Sequence, residues 1–171
     1  MVKKIIFLIF ITCIFILTAC SLGGGRVLAS NEDKKADVRM EQVLSAIKDK
    51  DKEAMKALFS KQALDENKDF DSGIDYLFSF FQGDVKSSKI DKWSSDESTR
   101  DGKESLMLRS WYTVDTSKEK YLFFIIDYTK DTINPDNEGL YTLRVIKAED
   151  KETQFTSWQD MKLAGIYKPK E

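Results

Sequence analysis

The chain has 171 residues, of which 27 are basic, 29 are acidic, two are cysteines and none is histidine. This length fits one ordinary domain with short appendages, and a hydrophobic fraction of 42% is typical of a globular protein. A net charge of -2 excludes the dense positive field that nucleic-acid binding requires, so we expect no nucleic-acid partner. The absence of histidine excludes Ser-His-Asp and Cys-His catalysis and histidine zinc sites.

The amino terminus has the pattern of an export signal. Two lysines, at positions 3 and 4, precede the apolar run Ile5–Leu17. As a helix this run would be about 20 Å long, which is short of the ~30 Å hydrocarbon core of a bilayer. Leu17-Thr18-Ala19-Cys20 then resembles the lipobox of bacterial lipoprotein precursors, in which the cysteine receives a diacylglyceryl group and acyl chains such as palmitate.

That resemblance implies a signal peptide over residues 1–19 and a lipidated Cys20 that anchors the protein at the extracytoplasmic face of the cell membrane. A secretory signal with a coincidental cysteine, or an uncleaved anchor, remains the alternative. Because Cys13 would be removed and Cys20 would carry lipid, we expect neither a disulfide nor a free thiol in the mature protein. Residues 20–35 include Gly23-Gly24-Gly25 and show no periodicity, which predicts a flexible tether, with a structured loop as the alternative.

The segment 36–167 is predicted to be a single domain that begins with helices. Apolar residues recur at three- and four-residue spacing over 36–47, which predicts an amphipathic helix with a narrow buried stripe. Three further helices are predicted before Gly83, where a glycine ends the last of them. Their predicted N-caps are, in chain order, Asp51, Ser60, and either Asp71 or Ser72.

The pattern changes to strands after Gly83. Helices followed by an antiparallel sheet predict an α+β fold, with N-terminal helices packed on a curved, cone-like sheet of about four strands. The third strand is apolar on both faces, so we expect it to be central and covered on both sides. The helices can cover one face; a curled sheet, the tail over 155–166 or a second copy in a homodimer can cover the other. The predicted strands are 85–93, 103–114, 120–128 and 140–147.

The order of the predicted elements and three sequence segments carry resemblances to known families. Helices followed by a curved sheet resemble the fold of nuclear transport factor two. More specifically, AIKDKDKEAMKALFSKQAL in the early helices, TINPDNEGLYTLRVI in a hairpin and the closing GIYKP resemble a family of bacterial lipoproteins catalogued as domain of unknown function 5104. These motifs are structural, namely a helix pattern, a turn and a terminal strand, so the resemblance implies no functional residue beyond the lipidated cysteine.

Arg109, Asp127 and Arg144 interrupt apolar strands. If Val114 pairs with Lys120 across the hairpin loop, Arg109 and Asp127 become diagonal neighbours on one face of the sheet. They would then form a structural ion pair, or a polar spot that lines an aromatic pocket. A register slip of one residue would separate them. The aromatic residues expected on the same face are Trp111, Tyr121 and Phe123.

Oxygen donors cluster between residues 131 and 138, as a calcium loop would require. Their spacing does not match the helix–loop–helix calcium motif, and Asn-Pro-Asp-Asn-Glu-Gly is ordinary turn chemistry. We therefore expect a turn here, and neither a metal nor a cofactor in the protein. The donors are Asp131, Asn134, Asp136, Asn137 and Glu138.

These features favour a membrane-anchored, non-catalytic module that binds a small ligand or a protein partner. One alternative is a small enzyme of isomerase or dehydratase type, in which Asp127 with Tyr121 or Tyr128 serves as base. The other is an immunity-type lipoprotein that sequesters an antimicrobial peptide. An enclosed pocket that converges on an unpaired Asp127 would favour the enzyme, whereas an open apolar sheet face would favour a protein partner.

Overall fold

The computed structural model describes residues 25–169, so the predicted signal peptide and Cys20 lie outside the described residues. The chain divides into two units, residues 1–31 and residues 32–171, and the fold described below is that of the second. Within residues 25–169, no helix is both long enough and apolar enough to cross a membrane.

Four helices precede the sheet, as the sequence predicts. They are α1 (Gly25–Asp49), α2 (Lys52–Ala57), α3 (Lys61–Glu66) and α4 (Phe70–Phe80). The apolar stripe of α1 is buried, and its residues Met40 and Val43 are almost fully inaccessible. The predicted caps of α2 and α3 are confirmed: the carboxylate of Asp51 accepts the N–H of Ala54 at 2.8 Å, and the hydroxyl of Ser60 accepts the N–H of Ala63 at 3.1 Å.

Two predicted helix boundaries are wrong. Helix α1 begins at Gly25, so residues 25–35, expected to be part of a flexible tether, are helical. Good helix formers and an ion pair between Lys35 and Glu32, with Nζ and Oε1 3.0 Å apart, extend the helix in this aperiodic segment. Helix α4 begins at Phe70, ahead of both predicted caps, and the side chain of Asp69 at its N-cap position makes no capping hydrogen bond.

The sheet has five strands in the order β1-β2-β3-β4-β5. Neighbouring strands are antiparallel except for β5, which lies parallel to β4. The sheet is curved and does not close, so the α+β prediction is confirmed with one more strand than expected. The strands are β1 (Val85–Arg100), β2 (Lys103–Thr116), β3 (Lys120–Asp131), β4 (Gly139–Lys147) and β5 (Gly165–Ile166).

The hairpin between β1 and β2 is longer than the sequence analysis predicts. Strand β1 continues to Arg100, which pairs with Lys103 across a two-residue turn. Asp101 and Gly102 both have positive φ, 51° and 73°, which is the geometry of the turn that matches the right-handed twist of a hairpin. The Asp-Gly pair is a strong hairpin signal in the sequence, and its position predicts the observed end of β1.

Strand β3 is central, and both of its faces are buried. Its inner face, which carries Tyr121, Phe123 and Ile125, packs against the helices; the ring of Phe81 stacks on that of Tyr121 with centroids 4.6 Å apart. Its outer face carries Phe124 and Ile126. The chain after β4, residues 148–169, is called the tail here and includes α5 (Lys151–Gln154) and α6 (Trp158–Met161).

The tail covers part of the outer face. Met161 is buried against Phe124 and Ile126, and Phe155 packs beside them. Strand β5 holds the end of the tail: the N–H of Tyr167 donates to the carbonyl of Leu143 at 2.9 Å. Of the three coverings that the sequence left open, the structure places the tail on this face.

Candidate functional site: a groove on the outer sheet face

The expected pairing of Arg109 with Asp127 is wrong, because the β2–β3 register differs by one residue. Val114 pairs with Tyr121, so Arg109 lies opposite Ile126 and Leu108 lies opposite Asp127. Side chains alternate between faces along a strand. Arg109 is therefore on the outer face with Trp111, while Asp127 is on the inner face with Tyr121 and Phe123.

The register differs because β2 runs two residues further than predicted. The N–H of Thr116 donates to the carbonyl of Glu119 at 2.9 Å, and the hydroxyl of Thr116 accepts the N–H groups of Lys118 and Glu119. Asp115 therefore pairs with Lys120, and the loop is shorter than the one assumed. In a sheet, a slip of one residue moves every side chain to the other face.

A groove of about 680 Å³ lies on the outer face between β1, β2 and the tail. We call it the outer-face groove. Ligand pockets in proteins have volumes of about 300–1,000 Å³, so this groove has room for a small molecule. Its lining includes Asp91, Lys92 and Ser94 from β1, Arg109 and Trp111 from β2, Leu122 from β3, and Lys151, Phe155, Thr156 and Met161 from the tail.

Trp111 forms an aromatic wall of the groove. Its ring packs on that of Phe124 on the neighbouring strand, with centroids 4.8 Å apart and an interplanar angle of 43°. The ammonium group of Lys92 lies 4.2 Å from the ring centroid, which is within the range of a cation–π interaction. Phe124 therefore packs against the indole of Trp111, and the Lys92 ammonium lies over the indole ring.

Arg109 is fixed by partners on β1. Its Nε donates to the hydroxyl of Ser94 at 3.2 Å, and its Nη1 donates to the carboxylate of Asp96 at 2.7 Å. The Arg109 side chain is 12% exposed and that of Asp96 is 59% exposed. Asp96 therefore retains much of its hydration, while the guanidinium is held beside the groove.

Asp127 occupies a different site, between β3 and α1. Its Oδ2 accepts a hydrogen bond from Nε of Arg39 at 3.0 Å, and its Oδ1 is buried with no hydrogen-bond partner among the described residues. Burial raises the pKa of Asp127, and the Arg39 guanidinium opposes that rise. Arg39 directly precedes Met40 of the apolar stripe of α1, and the sequence pattern does not identify Arg39 as a site residue.

Another inner-face polar contact joins β2 to the same helix. The hydroxyl of Tyr112 donates to Oδ1 of Asp37 at 2.9 Å. Burial is the first cause that raises the pKa of Tyr112, and the Asp37 hydrogen bond is the second. Tyr112 is therefore a neutral donor at physiological pH, and it fixes α1 on the sheet.

The segment 131–138 is a turn built on Asp131. One carboxylate oxygen of Asp131 accepts the N–H groups of Ile133 and Asn134 at 3.0 and 2.8 Å, and the other accepts from Ser105 and Asn137. Hydrogen bonds from the backbone of Asn134 and from Asn137 lower the pKa of Asp131 although burial opposes them. Its oxygens are thus used within the turn, and no group of three acidic residues suited to a metal ion occurs within residues 25–169.

The comparisons with known proteins identify a family and no activity. The model of the family described as Domain of unknown function (DUF5104) matches residues 42–148, which extend from α1 through β4 and include Arg109, Trp111 and Asp127. None of the curated proteins compared with the chain matches it. The match covers well over half of the sequence, and the chain belongs to this family of unknown function.

Proposed function

We propose that this protein is a lipid-anchored, extracytoplasmic binding protein of a bacterial membrane. Its outer-face groove takes a small ligand that combines an apolar ring or chain with an anionic group. The observation that carries the proposal is Trp111, a supported aromatic wall with a lysine ammonium beside it, at the side of a groove large enough for such a ligand.

Apolar side chains support the proposed ligand's hydrophobic part. Leu122, Phe155 and Met161 line the groove together with Trp111. An apolar ligand that displaces water from these surfaces gains roughly 25 cal/mol for each Å² removed from water. Offset stacking on a tryptophan adds about 0.5–1.5 kcal/mol for an aromatic ligand.

Positive side chains support the ligand's anionic part. Lys92, Arg109 and Lys151 line the groove, and Asp91 is the acidic residue on the same lining. The carboxylate of Asp91 accepts the hydroxyl of Thr113 at 2.7 Å, which directs it to a neighbour on the sheet. A carboxylate or phosphate group would form charge-assisted hydrogen bonds with these cations.

Catalysis by Asp127 is the weaker alternative. A general base must lie within hydrogen-bonding distance of the proton that it removes from a bound substrate. The Oδ2 atom of Asp127 is occupied by Arg39, and Asp127 lies on the sheet face opposite the groove. Asp127 is therefore not positioned to act as a base on a ligand in the outer-face groove, and the binding proposal does not require it.

A ligand-binding experiment tests the groove. Indole-3-acetate and octanoate are titrated into the purified protein by calorimetry, and the corresponding amides, which lack the carboxylate, serve as matched probes. We expect Trp111→Ala to weaken binding at least about tenfold. Trp93→Ala is the matched control, because Trp93 pairs with Ser110 and lies outside the groove. Equal effects of both variants, or no binding of either acid, would refute the assignment of the groove.

The membrane anchor is tested separately. Cys20→Ala removes the proposed lipid acceptor, so the protein should leave the membrane fraction or accumulate as the uncleaved precursor. Growth with radiolabelled palmitate should label the wild type and not this variant. A wild type that carries no label would refute the anchor and leave the binding experiment unaffected.

A further inference from the structure

A second groove lies between the first turn of α4 and the tail, on the β4 side of the sheet. We call it the α4–tail groove. Its volume is about 950 Å³, and it shares no lining residue with the outer-face groove. The residues that the argument uses are Asp69, Ser72, Arg144, Asp160, Tyr167 and Lys168.

Arg144 is a buried cation in this groove. The residue is 9% exposed, and its Nε is buried with no hydrogen-bond partner among the described residues. None of the ion pairs between described residues includes it. The ring of Tyr167 lies 3.8 Å from its Cζ, and this cation–π contact satisfies no N–H group.

A buried guanidinium is unfavourable unless an oppositely charged group pairs with it. Burying a charge carries a desolvation penalty, and removing one partner of a buried ion pair destabilises a protein because the remaining charge keeps that penalty. Burial lowers the pKa of Arg144, and the only opposing cause is Tyr167. The guanidinium nevertheless stays charged at physiological pH. Arg144 thus contributes to the groove lining a charge that no ion pair between described residues balances.

The start of α4 also contributes to the groove lining, at Asp69 and Ser72. The first N–H groups of a helix have no partner within the helix, and its N-terminal end carries a partial positive charge. The Asp69 side chain, at the N-cap position, does not cap this 11-residue helix. The hydroxyl of Ser72 lies 3.5 Å from the ammonium of Lys168, which adds a second cation. Helix N-termini bind anions, and the Asp71 carboxylate in this turn is paired with the ammonium of Lys56 at 2.8 Å.

We propose that the α4–tail groove binds the carboxylate of a free amino acid at the Arg144 guanidinium. The planar fork of an arginine matches a carboxylate and forms paired hydrogen bonds with it.

Asp69 and Asp160, on the same lining, distinguish an amino acid from an inorganic dianion. Two carboxylates would repel phosphate, whereas they can accept hydrogen bonds from the ammonium group of an amino acid. The groove therefore offers cationic and anionic groups to the two ends of a zwitterion.

The binding test uses the full-length purified protein and isothermal titration calorimetry. The probes are the standard L-amino acids, the corresponding amino-acid amides and inorganic phosphate. We expect at least one amino acid to bind and its amide to bind at least about tenfold more weakly. Equal binding of acid and amide, binding of phosphate in preference to amino acids, or no binding by any amino acid would overturn the proposal.

Arg144→Met tests the residue itself, because methionine retains an apolar stem of similar length without the charge. We expect amino-acid affinity to fall roughly 10- to 100-fold, the loss typical of a charged hydrogen bond. The melting temperature without ligand should stay the same or rise, since an unpaired buried charge has been removed. Lys147→Met is the matched control: Lys147 also belongs to β4, but it pairs with Glu119 outside the groove.

A structural role for Arg144 would give different results. A lower melting temperature of Arg144→Met without ligand, or failure of this variant to fold, would show that the guanidinium stabilises the fold and would overturn the proposal. Asp160→Asn tests whether that carboxylate neutralises Arg144 in solution. We expect its melting temperature to match the wild type, and a clear decrease would make Asp160 the partner. Binding of indole-3-acetate in the outer-face groove should survive Arg144→Met, which separates this site from the proposed function.

Discussion

The ion pair between Arg39 and Asp127 predicts a pH-dependent loss of stability in Arg39→Met. The substitution retains an apolar stem but removes the only hydrogen-bond donor to the Asp127 side chain among residues 25–169; that side chain is 5% exposed. Breaking a buried ion pair by removing one partner costs about 3–5 kcal/mol. Arg39 is 22% exposed and thus partly hydrated, so we expect the lower end, about 3 kcal/mol at neutral pH.

The pH dependence follows from the pKa of Asp127. Burial raises this pKa above its ordinary value of 3.8, and Arg39 is the group that opposes the rise. In Arg39→Met the native-state pKa rises further, so the native state holds a proton that the unfolded state releases. Stability then falls as pH increases from about 3.8 through the native-state pKa, and it is regained on acidification. The deficit of the variant should shrink towards acidic pH.

Urea denaturation of the wild type and the variant across this pH range measures the effect. Arg109→Met is the matched control, because its partner Asp96 is largely exposed and such pairs contribute about 0–1 kcal/mol at any pH. Adding Asp127→Asn to Arg39→Met should recover most of the loss, since no charge then remains buried. A deficit that is equal at acidic and neutral pH, or one below about 1 kcal/mol, would refute this reasoning.

Three further substitutions test the packing. Phe123→Ala should cost about 3–5 kcal/mol in urea denaturation, because the ring is fully buried in the core; a loss below about 1 kcal/mol would contradict a covered inner face. Gly139→Ala should lower the free energy of unfolding by at least about 1–3 kcal/mol, because φ is 118° and the added Cβ would lie 2.9 Å from the backbone N of Ser60. Gly102→Ala is the control and should cost less, because a Cβ added there meets no atom within 4 Å. Tyr112→Phe should cost about 1 kcal/mol, the hydrogen bond to Asp37, and an unchanged midpoint would show that water replaces that bond.

The order of elements and the central position of β3 could be predicted because they depend on local patterns. The spacing of Met40, Val43 and Ile47 identifies the buried stripe of α1, and the unbroken apolar run of β3 indicates a strand covered on both faces. Neither inference needs to know which residues meet across the sheet.

The site could not be predicted in the same way, because it depends on register. The side chain of Thr116 closes the β2–β3 loop and shifts the pairing by one residue, which sends Arg109 and Asp127 to opposite faces. Arg39 meets Asp127 across 88 positions of sequence, a distance at which periodicity carries no information. Strand β5 is two residues long, too short for a pattern of its own, and only the family resemblance of the closing GIYKP indicates a strand there.

The position of the tail has a consequence for how the protein acquires its native state during synthesis. The four long strands and all the helices of the inner layer precede the tail in the chain, so they can assemble while Phe124, Ile126 and Met107 are still bare. Exposed apolar surface of this kind promotes association between chains and recognition by proteases. These side chains become buried only when Met161 packs against them, and the pairing of β5 with β4 holds the tail in that position. Chains interrupted between β4 and β5 would therefore expose these apolar side chains, and we expect them to aggregate and to be cleaved by proteases more readily than complete copies.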